Sequence, residues 1–221
     1  MDDTPTRWTR ATVYPDMWVD PDDDPRDGIS PDGERPTLDD YLASYRLTLR
    51  MKCADLSADQ LARRAVPPST MSLLGLLRHL AEVERDWRGW VSAGASPPRL
   101  YGAGGADFDG AVAEQTMVDA AYVDLIREQA ATDAVLAEHP DLAQRVGDKG
   151  IAVRELLVHR IEEYARHCGH ADLLRASAST GVSGSEDAAA PDRATTQRFL
   201  GPVGVVVSTA ARAFRAEGTR A

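Results

Sequence analysis

The chain has 221 residues, 43% of them hydrophobic, which suits one domain of ordinary size plus extensions. A formal net charge of −10 and a pI near 4.9 argue against a nucleic-acid partner, which would demand a basic face. The most apolar stretch near the end, Leu200 to Phe214, is broken by Gly, Pro, Ser and Arg and is too short to span a bilayer. The Asp- and Pro-rich beginning has no secretory-signal pattern. The expectation is a cytoplasmic protein with no membrane or nucleic-acid partner. Cys53 and Cys168 have no metal-knuckle spacing and read as reduced, partly buried thiols. Lysine occurs only at Lys52 and Lys149 while arginine is abundant, a bias that suggests a GC-rich, actinobacterial coding sequence.

In chain order, residues 1–36 form a Pro/Asp-rich arm that cannot bury enough surface to fold alone. A domain follows over 37–176, and a low-complexity tail, expected to be partly disordered, over 177–221. Within the domain, Thr37 reads as the N-cap of a first helix in which Leu38, Leu42, Tyr45 and Leu49 repeat at helical spacing as far as about Cys53. Ser57-Ala-Asp-Gln60 has the form of a capping box and opens a short helix before Pro67-Pro68. A second long helix is expected from Ser69–Ser72 to about Ala93, and a Pro-, Gly- and Ala-rich loop over 94–110. A third long helix covers about Val112 to Ala137 and a fourth Ile151 to Ala176. For Gly201 to Arg215 strand and helix stay open. Four long helices without a strand signal predict an all-α four-helix bundle.

On the second long helix, His79 shares a face with Leu76, Val83, Trp87 and Trp90, at about 100° per residue. On the fourth, His159, Glu163, His167 and His170 fall within roughly an 80° arc. Glu163 and His167 stand one turn apart, so both can reach one ion, and a facing His79 would complete three ligands with a position left open. Imidazole and carboxylate suit zinc, and also nickel, iron or manganese. The competing readings are a hydrogen-bonded core histidine at His79 and a plain surface pair at Glu163 and His167. His159 and His170 read as further ligands, groups that orient the ligands, or substrate contacts; Trp87 is a candidate substrate contact. Glu162, Arg160 and Arg166 read as solvated charges, and Cys168, turned away from His167, as core.

Two stretches carry a family resemblance. One runs from Val66 through Pro-Pro-Ser-Thr-Met-Ser and the apolar run with His79 to Trp87. The other is His159-Arg-Ile-Glu-Glu163-Tyr-Ala-Arg-His167-Cys-Gly-His170, continuing to Arg175. Over about Arg35 to Arg175 the chain resembles the DinB-like superfamily, and within it the actinobacterial mini-circle, mycothiol transferase-like branch. The resemblance implies a four-helix bundle with a metal near one end. It makes His79, Glu163 and His167 the ligands, with Glu163 where the commoner pattern has histidine. The mycothiol-dependent maleylpyruvate isomerase is similar in using His, Glu and His. The function implied is a metal-dependent thiol S-transferase with mycothiol as cosubstrate and a small electrophile as its partner; a homodimer is implied as well. Metal-assisted hydrolysis, and a bundle that binds metal or ligand without catalysis, are the alternatives.

Overall fold

The structure, a computed structural model, describes Pro25 and residues 31–92 and 97–179. Most of the arm, the tail beyond Ser179 and the segment at Gly201–Arg215 lie outside the described residues. The elements in order are α1 (Glu34–Cys53), α2 (Ala58–Ala62), α3 (Leu73–Val91), α4 (Ala106–Asp109), α5 (Gln115–Ala137), β1 (Arg145–Val146), β2 (Ile151–Ala152) and α6 (Val153–Ser179). Among the described residues the fold is all-α apart from the two-stranded antiparallel hairpin β1–β2.

Local chemistry sets most boundaries. Ser57 and Gln60 exchange side-chain and backbone hydrogen bonds, so the capping box of α2 is complete. Ser72 caps α3 by accepting from the Gly75 amide at 3.0 Å. Several boundaries differ from the sequence expectation. α1 begins at Glu34, not at Thr37, because a proline is tolerated in a first turn where its missing N–H would have no partner; Thr37 instead bonds back to the Gly33 carbonyl at 2.7 Å. The loop over 94–110 contains the short helix α4. The hairpin occupies the approach to α6, so that helix starts at Val153.

α1 lies along α6 and α3 along α5, and α3 also meets α6. Glu34 pairs with Arg154 and Lys52 with Asp172, so α1 and α6 run the same way. α5 runs opposite to both. Its Asp133 bonds Arg46 and Arg160, its Gln129 bonds Tyr164, and its Tyr122 reaches the Cys53 carbonyl. Arg35 caps the end of α5 by donating to the carbonyls of Leu136 and His139. Leucines of α3 (Leu73, Leu74, Leu76, Leu77 and Leu80) fill the centre with Leu49, Leu125 and Leu157. Both cysteines are buried thiols.

A charged cluster sits inside this core. Glu84 on α3 is fully buried, and Arg160 is 1% exposed, so the sequence expectation of a solvated Arg160 is corrected. Glu84 accepts from Arg46 (2.7 Å), Arg160 (2.8 Å) and the Tyr164 hydroxyl (2.9 Å). Asp133 accepts from both arginines at 2.7 Å. Two cations and two carboxylates leave the cluster neutral. Burial alone would raise the Asp133 carboxyl, but Arg46 and Arg160 hold it below the ordinary carboxylate range.

Removing one partner of such a cluster strands the remaining charges. Glu84→Ala is expected to destabilise the fold by about 3–5 kcal/mol, read from urea denaturation. A loss under about 1 kcal/mol would mean that the cluster is incidental to stability.

Candidate metal centre

Three helices bring the site together. α3 supplies His79, α6 supplies Glu163, His167 and His170, and α4 supplies Asp107. The His79 Nε2 lies 3.4 Å from Glu163 Oε1, and the His167 Nε2 lies 3.1 Å from that same oxygen. One atom from each residue lies within 4.8 Å of the others. His79 is 22% exposed and Glu163 14%, so the group is reachable from solvent while His167 is buried.

The other nitrogen of each ring is already engaged. His79 Nδ1 donates to Asp107 Oδ2 at 2.8 Å, and His167 Nδ1 lies 3.2 Å from His170 Nδ1. Asp107 is held from behind. Arg78 donates to the carbonyls of Asp107 (2.9 Å) and Ala106 (2.8 Å) while lying over the Tyr101 ring. Phe108 stacks on His79 with centroids 4.8 Å apart. Gly75 permits this approach, since a Cβ there would come within 2.9 Å of the Phe108 ring. α4 is therefore fastened to α3, and its carboxylate aims the His79 ring at Glu163.

The electrostatics leave a gap that fits a cation. His79 turns Nδ1 to Asp107, so Nε2 is the ring atom that faces Glu163 Oε1. The His167 Nε2 joins them on the other side. Burial first, and then the nearby His79, lower the His167 imidazole to about 4, so it is neutral and able to ligate at pH 7. Burial would raise Glu163, but His167 and His79 hold it below the usual carboxylate range, so it is ionised. At the usual zinc bond lengths, tetrahedral ligands stand about 3.3 Å apart, close to the spacing of each imidazole Nε2 from Glu163 Oε1. The donor set thus fits a divalent cation, with two imidazole nitrogens and one carboxylate oxygen.

A family model described as mycothiol-S-transferase matches residues 37–179. The chain belongs to the mycothiol-S-transferase family. No curated protein and no solved structure matches it significantly. The family match spans every residue of the site, from His79 on α3 through α4 to His170.

The remaining candidates fall elsewhere or nearby. His170 stands behind His167, in a position to orient it. His159 does not join the group: its ring stacks on Trp90 (5.8 Å, 13°), meets Trp87 edge-on, and pairs with Glu162. Trp87 is 1% exposed and lies between His159, Tyr164 and Arg160, so it is a core residue and offers no open surface to a substrate. Asp107 escaped the sequence reading. It is one of many aspartates, in a glycine-rich segment with no periodicity to aim it.

The His167 shift gives a signed pH dependence. Its folded value lies below the ordinary 6.5, so as pH falls the unfolded chain takes up this proton first. The stability it contributes is complete above about pH 6.5 and is lost progressively towards pH 4. Histidine ring signals of chelator-treated protein should show His167 titrating near pH 4; titration near 6.5 would contradict the burial argument.

Proposed function

We propose that this chain is a metal-dependent thiol S-transferase that joins mycothiol to a small electrophile. His79, Glu163 and His167 hold the divalent cation, with zinc the first choice for this donor set. The observation that carries the reading is the single carboxylate oxygen set between two imidazole Nε2 atoms whose Nδ1 atoms are committed elsewhere. Membership of the mycothiol-S-transferase family supports the choice of thiol.

The sulfur nucleophile has to be brought in from outside. Burial pushes the Cys53 thiol up to about 12, and Cys168 is buried with its thiol donating to the Tyr45 carbonyl. These are the chain's only cysteines. A divalent cation in the site supplies the Lewis acidity that keeps a bound thiol in its thiolate form at neutral pH. Asp107 holds the His79 ring in one orientation and makes it a stronger donor. Glu163 balances part of the cationic charge, its second oxygen lying 3.6 Å from Arg166. A His167 that ligates through Nε2 keeps its proton on Nδ1 and donates it to His170. His170 then carries its own proton on Nε2, where it is a hydrogen-bond donor to incoming substrate. In the transfer itself a sulfur–carbon bond forms while the leaving group departs with its electron pair.

Purified protein should carry close to one divalent cation per chain. Glu163→Ala should lose it, together with mycothiol-dependent turnover of chlorodinitrobenzene, while keeping its helical content by circular dichroism. A Glu163→Ala protein with full metal and full turnover would sink the assignment. Asp107→Asn should keep the fold and weaken metal affinity about 10–100-fold in competition with a chelator, the usual scale for a group that orients a ligand.

A further inference from the structure

α4 cannot hold itself in place. It is a single turn, Ala106–Asp109, entered through Gly102, Gly104 and Gly105, all at positive φ. A helix of one turn has too few internal hydrogen bonds to persist alone, and its last carbonyls need donors from outside. Arg78 is such a donor, taking the Asp107 and Ala106 carbonyls at 2.9 and 2.8 Å. The aim of the Asp107 carboxylate at His79 therefore depends on where the Arg78 guanidinium lies.

Arg78 is buried, at 7% exposure, and no carboxylate among the described residues forms an ion pair with it. In place of an acid it has the face of the Tyr101 ring, whose centre lies 4.1 Å from the guanidinium carbon. A cation over an aromatic face is attracted by the ring quadrupole, and more strongly when it is out of water. Tyr101 is itself held from two helices. Its backbone N–H donates to Glu82 of α3 at 2.8 Å, and its hydroxyl donates to Asp124 of α5 at 2.9 Å. Arg127 keeps Asp124 in place, 2.8 Å from its other oxygen. Burial, and then the bond to Asp124, push the Tyr101 hydroxyl up, so it stays protonated and remains a donor. Just upstream, Arg85 of α3 takes the Pro98 carbonyl at 2.6 Å, so the chain is already fastened where it approaches Tyr101. The contacts form a relay from α3 and α5 to Tyr101, from its ring to Arg78, from Arg78 to α4, and from Asp107 to the His79 imidazole.

We propose that Tyr101 is a positioning residue for the metal centre: it holds Arg78, Arg78 holds α4, and Asp107 on α4 fixes the ring of His79. The inference rests on the reading of His79, Glu163 and His167 as metal ligands. Tyr101 hydrogen-bonds none of the three; its own bonds go to Glu82 and Asp124. The aromatic face is the operative part, since that is what meets the guanidinium, and the hydroxyl steadies the ring. Tyr101→Phe should therefore retain the function, and Tyr101→Leu, which removes the ring, should lose it.

The test uses the full-length protein. In competition with a chelator, Tyr101→Leu should weaken zinc binding about tenfold or more, the scale for a group that orients a ligand, and Tyr101→Phe less than about threefold. Because Tyr101 acts through Asp107, Tyr101→Leu should add little to the loss in Asp107→Asn, whereas independent sites would multiply their losses. Zinc affinity unchanged in Tyr101→Leu, an equal loss in Tyr101→Phe, or fully multiplied losses in the double variant would each overturn the proposal. Coupling is reciprocal, so zinc should slow exchange of the wild-type amides of Tyr101, bonded to Glu82, and Gly110, bonded to the Ala106 carbonyl. Unchanged exchange overturns the proposal too, and this arm needs no variant to fold. Wild type that binds no zinc would sink the metal reading instead. The His79 ring signals of the metal-free protein then decide the relay: Tyr101→Leu should shift or broaden them while Tyr101→Phe leaves them in place, and identical spectra for all three proteins overturn it.

Discussion

The architecture depends on a carboxylate placed where hydrocarbon would be the ordinary choice. Glu84 is fully buried among leucines, and an ion in that position is costly unless every lone pair finds a donor. Arg46, Arg160 and Tyr164 supply those donors from α1 and α6, and Asp133 of α5 neutralises the second guanidinium. Leucine packing tolerates small slides and rotations; hydrogen bonds at 2.7–2.9 Å do not. A shift of one helical turn, about 5.4 Å, would break all three bonds to Glu84 together. The cluster thereby selects one register among several that the apolar stripes alone would permit.

That register is what the candidate metal centre uses. His79 and Glu84 lie on α3, and Arg160, Tyr164, Glu163 and His167 on α6, so one pair of helices carries both the lock and the candidate ligands. With Glu84 bound to Arg160 and Tyr164, the next turn of α6 meets the preceding turn of α3, and Glu163 falls opposite His79. α4 adds the remaining constraint. Arg78, neighbour of His79 in sequence, grips two α4 carbonyls, and Asp107 on that same turn fixes the ring. Position along the helix and orientation of the imidazole are thus set by separate devices.

Much of this was legible in the sequence because it is periodic or local. The long helices and the common arc of Glu163, His167 and His170 follow from spacing of about 3.6 residues per turn, and the capping box at Ser57–Gln60 from local side-chain chemistry. His159 lies on that same arc and still packs elsewhere, against Trp90 and Trp87, because periodicity gives a direction around a helix and not a position along its neighbour. What escaped depends on partners far away in sequence. Arg160 looked like any arginine on a helix rich in charge, and only Glu84, 76 residues earlier, explains its burial. Asp107 acts from a segment where glycines, not periodicity, govern the chain. Pro36 hid the first turn of α1 because proline marks both the end of an extended arm and an allowed start of a helix.

The two polar clusters on α6 lie within a few residues of each other, yet their charge balance assigns them opposite roles. Around Glu84 two guanidinium groups meet two carboxylates, and both Glu84 oxygens accept hydrogen bonds. Around Glu163 the balance is open. Its carboxylate and that of Asp107 lie on either side of His79, burial keeps His167 neutral, and the nearest full cation is Arg166 at 3.6 Å on the exposed side. One carboxylate oxygen and two imidazole nitrogens come together here, while Asp107 holds His79 from the far side of its ring. Where Glu84, Asp133 and Glu128 each bond arginine, Glu163 Oε1 faces two imidazoles, an arrangement that suits a divalent cation.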